Sequence, residues 1–384
     1  MGTKREGAAH PDHKDRPNIG ALTGLRSLAA VWVVLFHFRG DLIALAPWLA
    51  PANRFMAAGY LGVDLFFPLS GFVLAYNYAD SMRHWSTRDA IGFLRNRVAR
   101  VWPVHVVTLH IDLAMAVTAG AMGIGEGGHR RTLAAYVENL FMVHYWRNDR
   151  PSFNAPAWSI SAEFLAYLAA PVIFLLLSRV VRARSALLGA FLSYAAMLVI
   201  FATVALPNGN LEHLPWVRIG GEFLGGVFLC LAWLRGRWAM GRVAGPLALV
   251  IVLVVAIVPA ATGGHYWMAL PLGLVVGTLA PATGWLARWL ATRSMVLAGE
   301  ASYCLYMTHW LLRDVVGWLS DWGDDAWWRA VLALGATVLV LAGAAWLLHV
   351  LVERPARRLL RTPPGRAAVS PARLGSTGFA RRTS

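Results

Sequence analysis

The sequence predicts an all-α polytopic membrane protein of about ten transmembrane helices, with both termini on the cytoplasmic side. Three observations predict it. Of 384 residues 58% are hydrophobic, and the mean hydropathy is +0.53, too apolar for a soluble domain of this size. The apolar residues fall in runs of about 20, the length that crosses a bilayer. The 35 Lys and Arg are placed unevenly: 25 in segments that alternate onto one side, six on the other, and four (Arg26, Arg218, Arg313 and Arg329) within spans. Such a bias marks the cytoplasmic side. The net charge of +15 therefore reports topology and a basic tail suited to anionic lipid; it does not point to nucleic acid.

Residues 1–20 are a polar cytoplasmic segment without a signal-cleavage pattern. The first span, about Ala21 to Phe38, contains Arg26 and His37. Eleven residues are close to three helical turns, so the two side chains share a face, roughly 16 Å apart along the axis. Either alone fits an arginine snorkelling to one surface and a histidine capping the other end. Two ionisable groups on one buried stripe argue for a site, because each costs several kcal/mol in a bilayer unless it faces protein or water.

The second span, about Ala57 to Tyr78, is polar and glycine-bearing, with Asp64, Pro68 and Ser70 inside it. A basic loop leads through Arg95, Arg97 and Arg100 into the third, which ends near Gly120. In the long outer loop from Met122 to Pro156, the apolar piece Leu133 to Trp146 is too short to span and reads as a re-entrant or interfacial helix. The fourth span opens at Trp158 and carries Glu163. Spans five to eight lie at about 185–206, 217–234, 244–262 and 267–283; the turns at 179–184, 235–242 and 285–293 are basic and therefore inner. The ninth, about Leu297 to Leu319, has Ser302, Tyr306, His309 and Arg313 at spacings of four, three and four, one helix face. The tenth runs from about Ala326 to Val352. Residues 21–353 are thus one transmembrane domain and 354–384 a basic tail of disordered composition. Cys230 and Cys304 both fall in spans, and no metal-ligand spacing is present.

Six of these stretches, in this order, carry a resemblance. They are Arg26 and His37 with ten residues between; Gly62-Val-Asp-Leu-Phe-Phe with Ser70-Gly-Phe; Arg97-Val-Ala-Arg100-Val-Trp-Pro; Trp158-Ser-Ile-Ser-Ala-Glu163; Ser302-Tyr-Cys-Leu-Tyr-Met-Thr-His309; and Glu353-Arg-Pro. Over roughly residues 18–358 the chain resembles the acyltransferase-3 family of integral-membrane O-acyltransferases. The resemblance implies an enzyme of the cell membrane that moves an acyl group, often acetyl, from a coenzyme A thioester to a hydroxyl. The implied acceptors are a sugar of an envelope polysaccharide, peptidoglycan or glycolipid, or a macrolide antibiotic. Pro68-Leu69 departs from the family pattern, and a proline there is expected to bend the span.

That chemistry needs the donor phosphates held, the thioester carbonyl polarised and the incoming hydroxyl deprotonated. Arg97 and Arg100, three apart at the inner mouth, suit bidentate phosphate contacts, although inner arginines also serve topology alone. Arg26 reaches the same level and suits a phosphate or the carbonyl. His37 is the expected general base. Asp64 or Glu163 is the expected orienting carboxylate, with helix capping or an arginine pair as the alternative for either. Ser302, Tyr306 and His309 are expected to line the cavity or to form an interhelical polar stripe. Ser70 lacks the Gly-x-Ser-x-Gly elbow of an acyl-enzyme nucleophile. The competing class is a transporter or flippase of an envelope or antibiotic precursor, which would also bury charges but commonly has inverted repeats; none is seen.

Overall fold

The computed structural model describes residues 19–123, 131–146, 152–205, 215–236, 243–257, 266–313 and 327–360. The N-terminal segment, the tail beyond 360 and residues 314–319 of the ninth span lie outside them. Among the described residues the chain is helical, without strands. Its principal helices are α1 (Gly20–Leu45), α2 (Gly62–Tyr78), α3 (Thr87–Ala121), α4 (Leu133–Leu140), α5 (Trp158–Leu177) and α6 (Ala183–Ile200). They continue with α7 (Pro215–Gly236), α8 (Ala244–Ile257), α9 (Ala269–Leu279), α10 (Arg293–Thr308), α11 (Trp327–Leu348) and α12 (Arg354–Leu360). Each predicted span overlaps one of them, the seventh being described as helix only to Ile257 and the ninth only to Thr308. Seven helical stretches are long and apolar enough to cross a membrane, whereas α8, α9 and α10 are shorter within the described residues. The protein is an all-α, multi-pass membrane protein.

The order of burial positions the site. The second span, with its lead-in of short helical turns from Pro47, is the most enclosed, 78% of its apolar window being buried. Around it pack α7, then α1 and α9, while α10 packs on α1. Outward faces of α6 and α11 present Leu188, Phe191, Leu192, Leu332, Val338 and Leu339, a surface matched to lipid. Lipid tails are as apolar as leucine, so close backbone contact must drive helix association. At the α2–α7 crossing a Cβ on Gly71 would collide with the Phe223 carbonyl, and one on Gly226 with the Pro68 carbonyl. The absent side chains let the two backbones touch. Helix α2 is assigned as one continuous helix through Pro68.

Helix α4, capped by the Thr132 hydroxyl, which accepts from Ala135 N–H at 3.1 Å, is the expected short helix of the long loop. Its C-terminal end is tied to α3: His105 Nε2–H donates to Asn139 O at 2.7 Å, and Trp102 Nε1–H to Leu140 O at 2.9 Å. His144 stacks on His105 with centroids 5.7 Å apart and planes within 5°. Burial, reinforced by His105, lowers the His144 pKa to about 3, so this loop imidazole is neutral.

Candidate active site

Helix α1 carries two polar sites, one near each end. At its N-terminal end Arg26 lines a cavity of about 30 Å³ with Arg97 and Arg100 of α3, Glu163 and Tyr167 of α5, Ser70 of α2 and Tyr303 of α10. That volume holds about one water. Helix α3 presents its two arginines because Ser86 caps it, accepting from Asp89 N–H at 3.2 Å, and a spacing of three then puts both on one face. The Nε atoms of Arg26 and Arg97 are buried without a hydrogen-bond partner among the described residues. Their guanidinium groups lie over rings instead, Arg26 at 5.9 Å from Phe66 and Arg97 at 5.7 Å from Tyr78. Arg100 differs: its Nη1 lies 2.9 Å from the buried Oε1 of Glu353.

At the other end, His37 Nδ1 lies 3.1 Å from His309 Nε2 and 3.1 Å from Val33 O. His309 Nδ1 lies 2.7 Å from Tyr306 O. A carbonyl only accepts, so His309 carries its proton on Nδ1 and offers a lone pair at Nε2. His37 Nδ1 faces two acceptors and therefore carries the other proton. Its Nε2 is left as a basic lone pair. Phe36 and Trp310 pack edge-on against the His37 ring at 4.9 and 5.3 Å, fixing its plane.

The acyltransferase domain family matches residues 19–348. The chain belongs to the acyltransferase-3 family. It is an acyltransferase, and the family assignment decides against the transporter reading. Over 384 aligned residues, 92% of this chain and 95% of the relative, it is 28% identical to the acyltransferase MdmB of Streptomyces mycarofaciens. It is 22% identical, over 88% of its length, to the putative peptidoglycan O-acetyltransferase YrhL of Bacillus subtilis. It is 20% identical, over 89%, to the peptidoglycan O-acetyltransferase OatA of Listeria monocytogenes. The chain spans about half the length of these two, 55% and 56%. No solved structure matches.

In this acyltransferase the arginines Arg26, Arg97 and Arg100 come together as expected, and His37 meets His309. The carboxylates take the alternative the sequence left open, a place beside arginines. His37 is held by His309 and Val33; Asp64 instead takes both sides of the Arg218 guanidinium, Nε to Oδ1 at 2.8 Å and Nη2 to Oδ2 at 2.5 Å. A bidentate pair is the stronger use of a buried carboxylate. Glu163 lies in the arginine cavity, where it tempers a concentration of positive charge. The stripe on α10 also divides. Tyr306 donates to Pro156 O at 3.0 Å and accepts from Ser159 at 2.8 Å, Ser302 turns back to Gly299 O at 2.8 Å, and Arg313 lies 4.0 Å from Asp41.

Two groups escaped sequence reading. Glu222 is fully buried one turn from Arg218, 3.8 Å from its Nε; an i,i+4 arginine–glutamate pair in an apolar span was its only signal. A second cavity of about 260 Å³ is lined by Tyr145, Trp146, Ala162, Leu165, Pro215 and Trp216. Nothing in the sequence joins these loop and helix-end residues.

Proposed function

We propose that this enzyme transfers an acyl group, acetyl in the first instance, from acyl-CoA to a hydroxyl of a sugar or glycosylated acceptor at the cell membrane. The observation that carries the reading is that one helix, α1, delivers Arg26 to an arginine-lined cavity and His37 to a histidine pair with its Nε2 lone pair free. Arg26, Arg97 and Arg100 bind the donor phosphates; two of them have Nε–H groups awaiting an acceptor. The roughly 16 Å of helix rise between Arg26 and His37 is on the order of an extended pantetheine arm. Because the cavity holds about 30 Å³, the arm enters only as the arginine side chains move apart to grip it.

The step is direct. The acceptor oxygen attacks the thioester carbonyl as His37 Nε2 takes its proton, and the imidazolium returns that proton to the departing thiolate. Ester and free CoA result, with no net proton. Contact with His309 Nε2 keeps the His37 Nδ1 proton in place, the orienting task that a carboxylate performs elsewhere. The acceptor class rests on the relatives named as peptidoglycan O-acetyltransferases and on the aromatic walls at Tyr145, Trp146 and Trp216, suited to a sugar face or a macrolide ring.

Purified protein in nanodiscs, given acetyl-CoA and a panel of glycan and macrolide acceptors, should release CoA in step with acetylated product. Absence of any acceptor-dependent CoA release with acetyl-, propionyl- and longer acyl-CoA donors would overturn the reading.

A further inference from the structure

Glu353 is fully buried, at a place where α11 gives way to a π-helical turn, His349–Glu353. Such turns are uncommon and often occur at functional sites. Here the turn aims the carboxylate across the bundle at α3. One oxygen, Oε1, lies 2.9 Å from Arg100 Nη1 and 3.5 Å from Arg357 Nη1. The other, Oε2, accepts from His349 Nδ1–H at 2.8 Å and from the Cys304 thiol at 3.3 Å. His349 and Cys304 are themselves buried. The carboxylate is thus fixed from two helices and can move only with the bundle.

Of the three cavity arginines, Arg100 is the one held by this anchor; Arg26 and Arg97 rest on aromatic faces. An anchored guanidinium loses less freedom when it meets an anion, and its ion pair with Glu353, in which Oε1 accepts no hydrogen bond, leaves its N–H groups for a ligand. We propose that Glu353 is a positioning residue for acyl-CoA: it presets the Arg100 guanidinium in the donor cavity, with His349 and Cys304 holding the carboxylate in register. This rests on the reading of Arg100 as a donor contact. The side chains of Cys304, His349 and Glu353 also lie within reach of a common cation, their ligand atoms within 4.8 Å of one another. The hydrogen bonds already engage the Sγ, Nδ1 and Oε2 atoms, and Arg100 supplies the positive charge, so we assign the cluster to the anchor.

Acetyl-CoA titrated into the full-length protein in nanodiscs reads the effect as a dissociation constant, separate from the fraction of sites that bind. Glu353→Gln should weaken acetyl-CoA binding about tenfold and add little in an Arg100→Ala background, because the two act through one contact. Glu353→Asp, which keeps the charge but falls short of Arg100, should also weaken binding, and it serves if the glutamine variant does not fold. A purely architectural Glu353 would lower the number of binding sites and leave the dissociation constant of the remainder unchanged; that result, or additive losses in the double variant, overturns the proposal. Stoichiometric zinc in the purified wild type would overturn it as well. An unchanged constant in Arg100→Ala would instead remove the donor role of Arg100, with Arg97→Ala showing whether the cavity still binds donor.

Discussion

At the scale of single residues, the chemistry turns on where protons sit. His37→Gln keeps a polar side chain of similar reach but cannot take the hydroxyl proton. It should lower turnover by roughly 10²–10⁴-fold, the usual contribution of positioned acid–base catalysis, with acetyl-CoA binding near wild type. Near-normal turnover of folded His37→Gln protein would move the base to His309. His309→Gln, whose side-chain carbonyl can accept from His37 Nδ1–H, should retain more activity than His309→Ala. If the arginine cavity holds the donor as proposed, Arg97→Ala removes a charge-assisted contact worth roughly 1.5–3 kcal/mol, about ten- to a hundredfold in affinity. Lys at that position should recover only part of it, because it restores charge without the planar fork. Calorimetric titration of acetyl-CoA against both variants checks the order.

At the scale of elements, the pair between Asp64 of α2 and Arg218 of α7 is the polar bolt of the most enclosed helix. Breaking it from one side leaves a buried charge without its bidentate partner, Glu222 being the only other carboxylate beside Arg218 among the described residues, and such a loss typically costs about 3–5 kcal/mol. Asp64→Asn and Arg218→Ala should therefore each lower thermal stability in detergent. The two together should cost less than the sum of the singles; strictly additive losses would count against the pair. The same two helices meet backbone to backbone at Gly71 and Gly226. Gly71→Leu should reduce folded yield far more than the same change at Gly92, where a Cβ meets open space.

At the scale of the whole molecule, helices whose connections alternate between arginine-rich and arginine-poor place the arginine cavity at one membrane face and the histidine pair toward the other. On the proposed reading the basic face is cytoplasmic, and acyl-CoA meets the arginines from the compartment where it is made. Cysteines introduced at Ser86 and Ser376 should react only with membrane-permeant thiol reagents, and one at Asn148 with impermeant reagents too. Labelling of Ser86 from outside intact cells would invert the arrangement. At the far face, the 260 Å³ aromatic cavity predicts that Trp146→Ala raises the KM for acceptor and leaves that for acetyl-CoA unchanged.

The sequence by itself determined the spans, their alternation and the Arg26–His37 stripe. These follow from helix period, bilayer thickness and charge bias, all local along the chain. It also brought out Arg97 and Arg100, because three residues on a helix fix a shared face. It could not say which carboxylate meets which cation. Asp64 and Arg218 lie 154 residues apart, Arg100 and Glu353 stand on helices from opposite ends of the chain, and His37 and His309 are 272 residues apart. A buried charge takes whichever partner the packing of helices brings within about 3 Å, and packing is decided by glycine contacts and helix crossings that no periodicity encodes. Only the tertiary structure could therefore assign Asp64 to Arg218, His309 to His37 and Glu353 to Arg100.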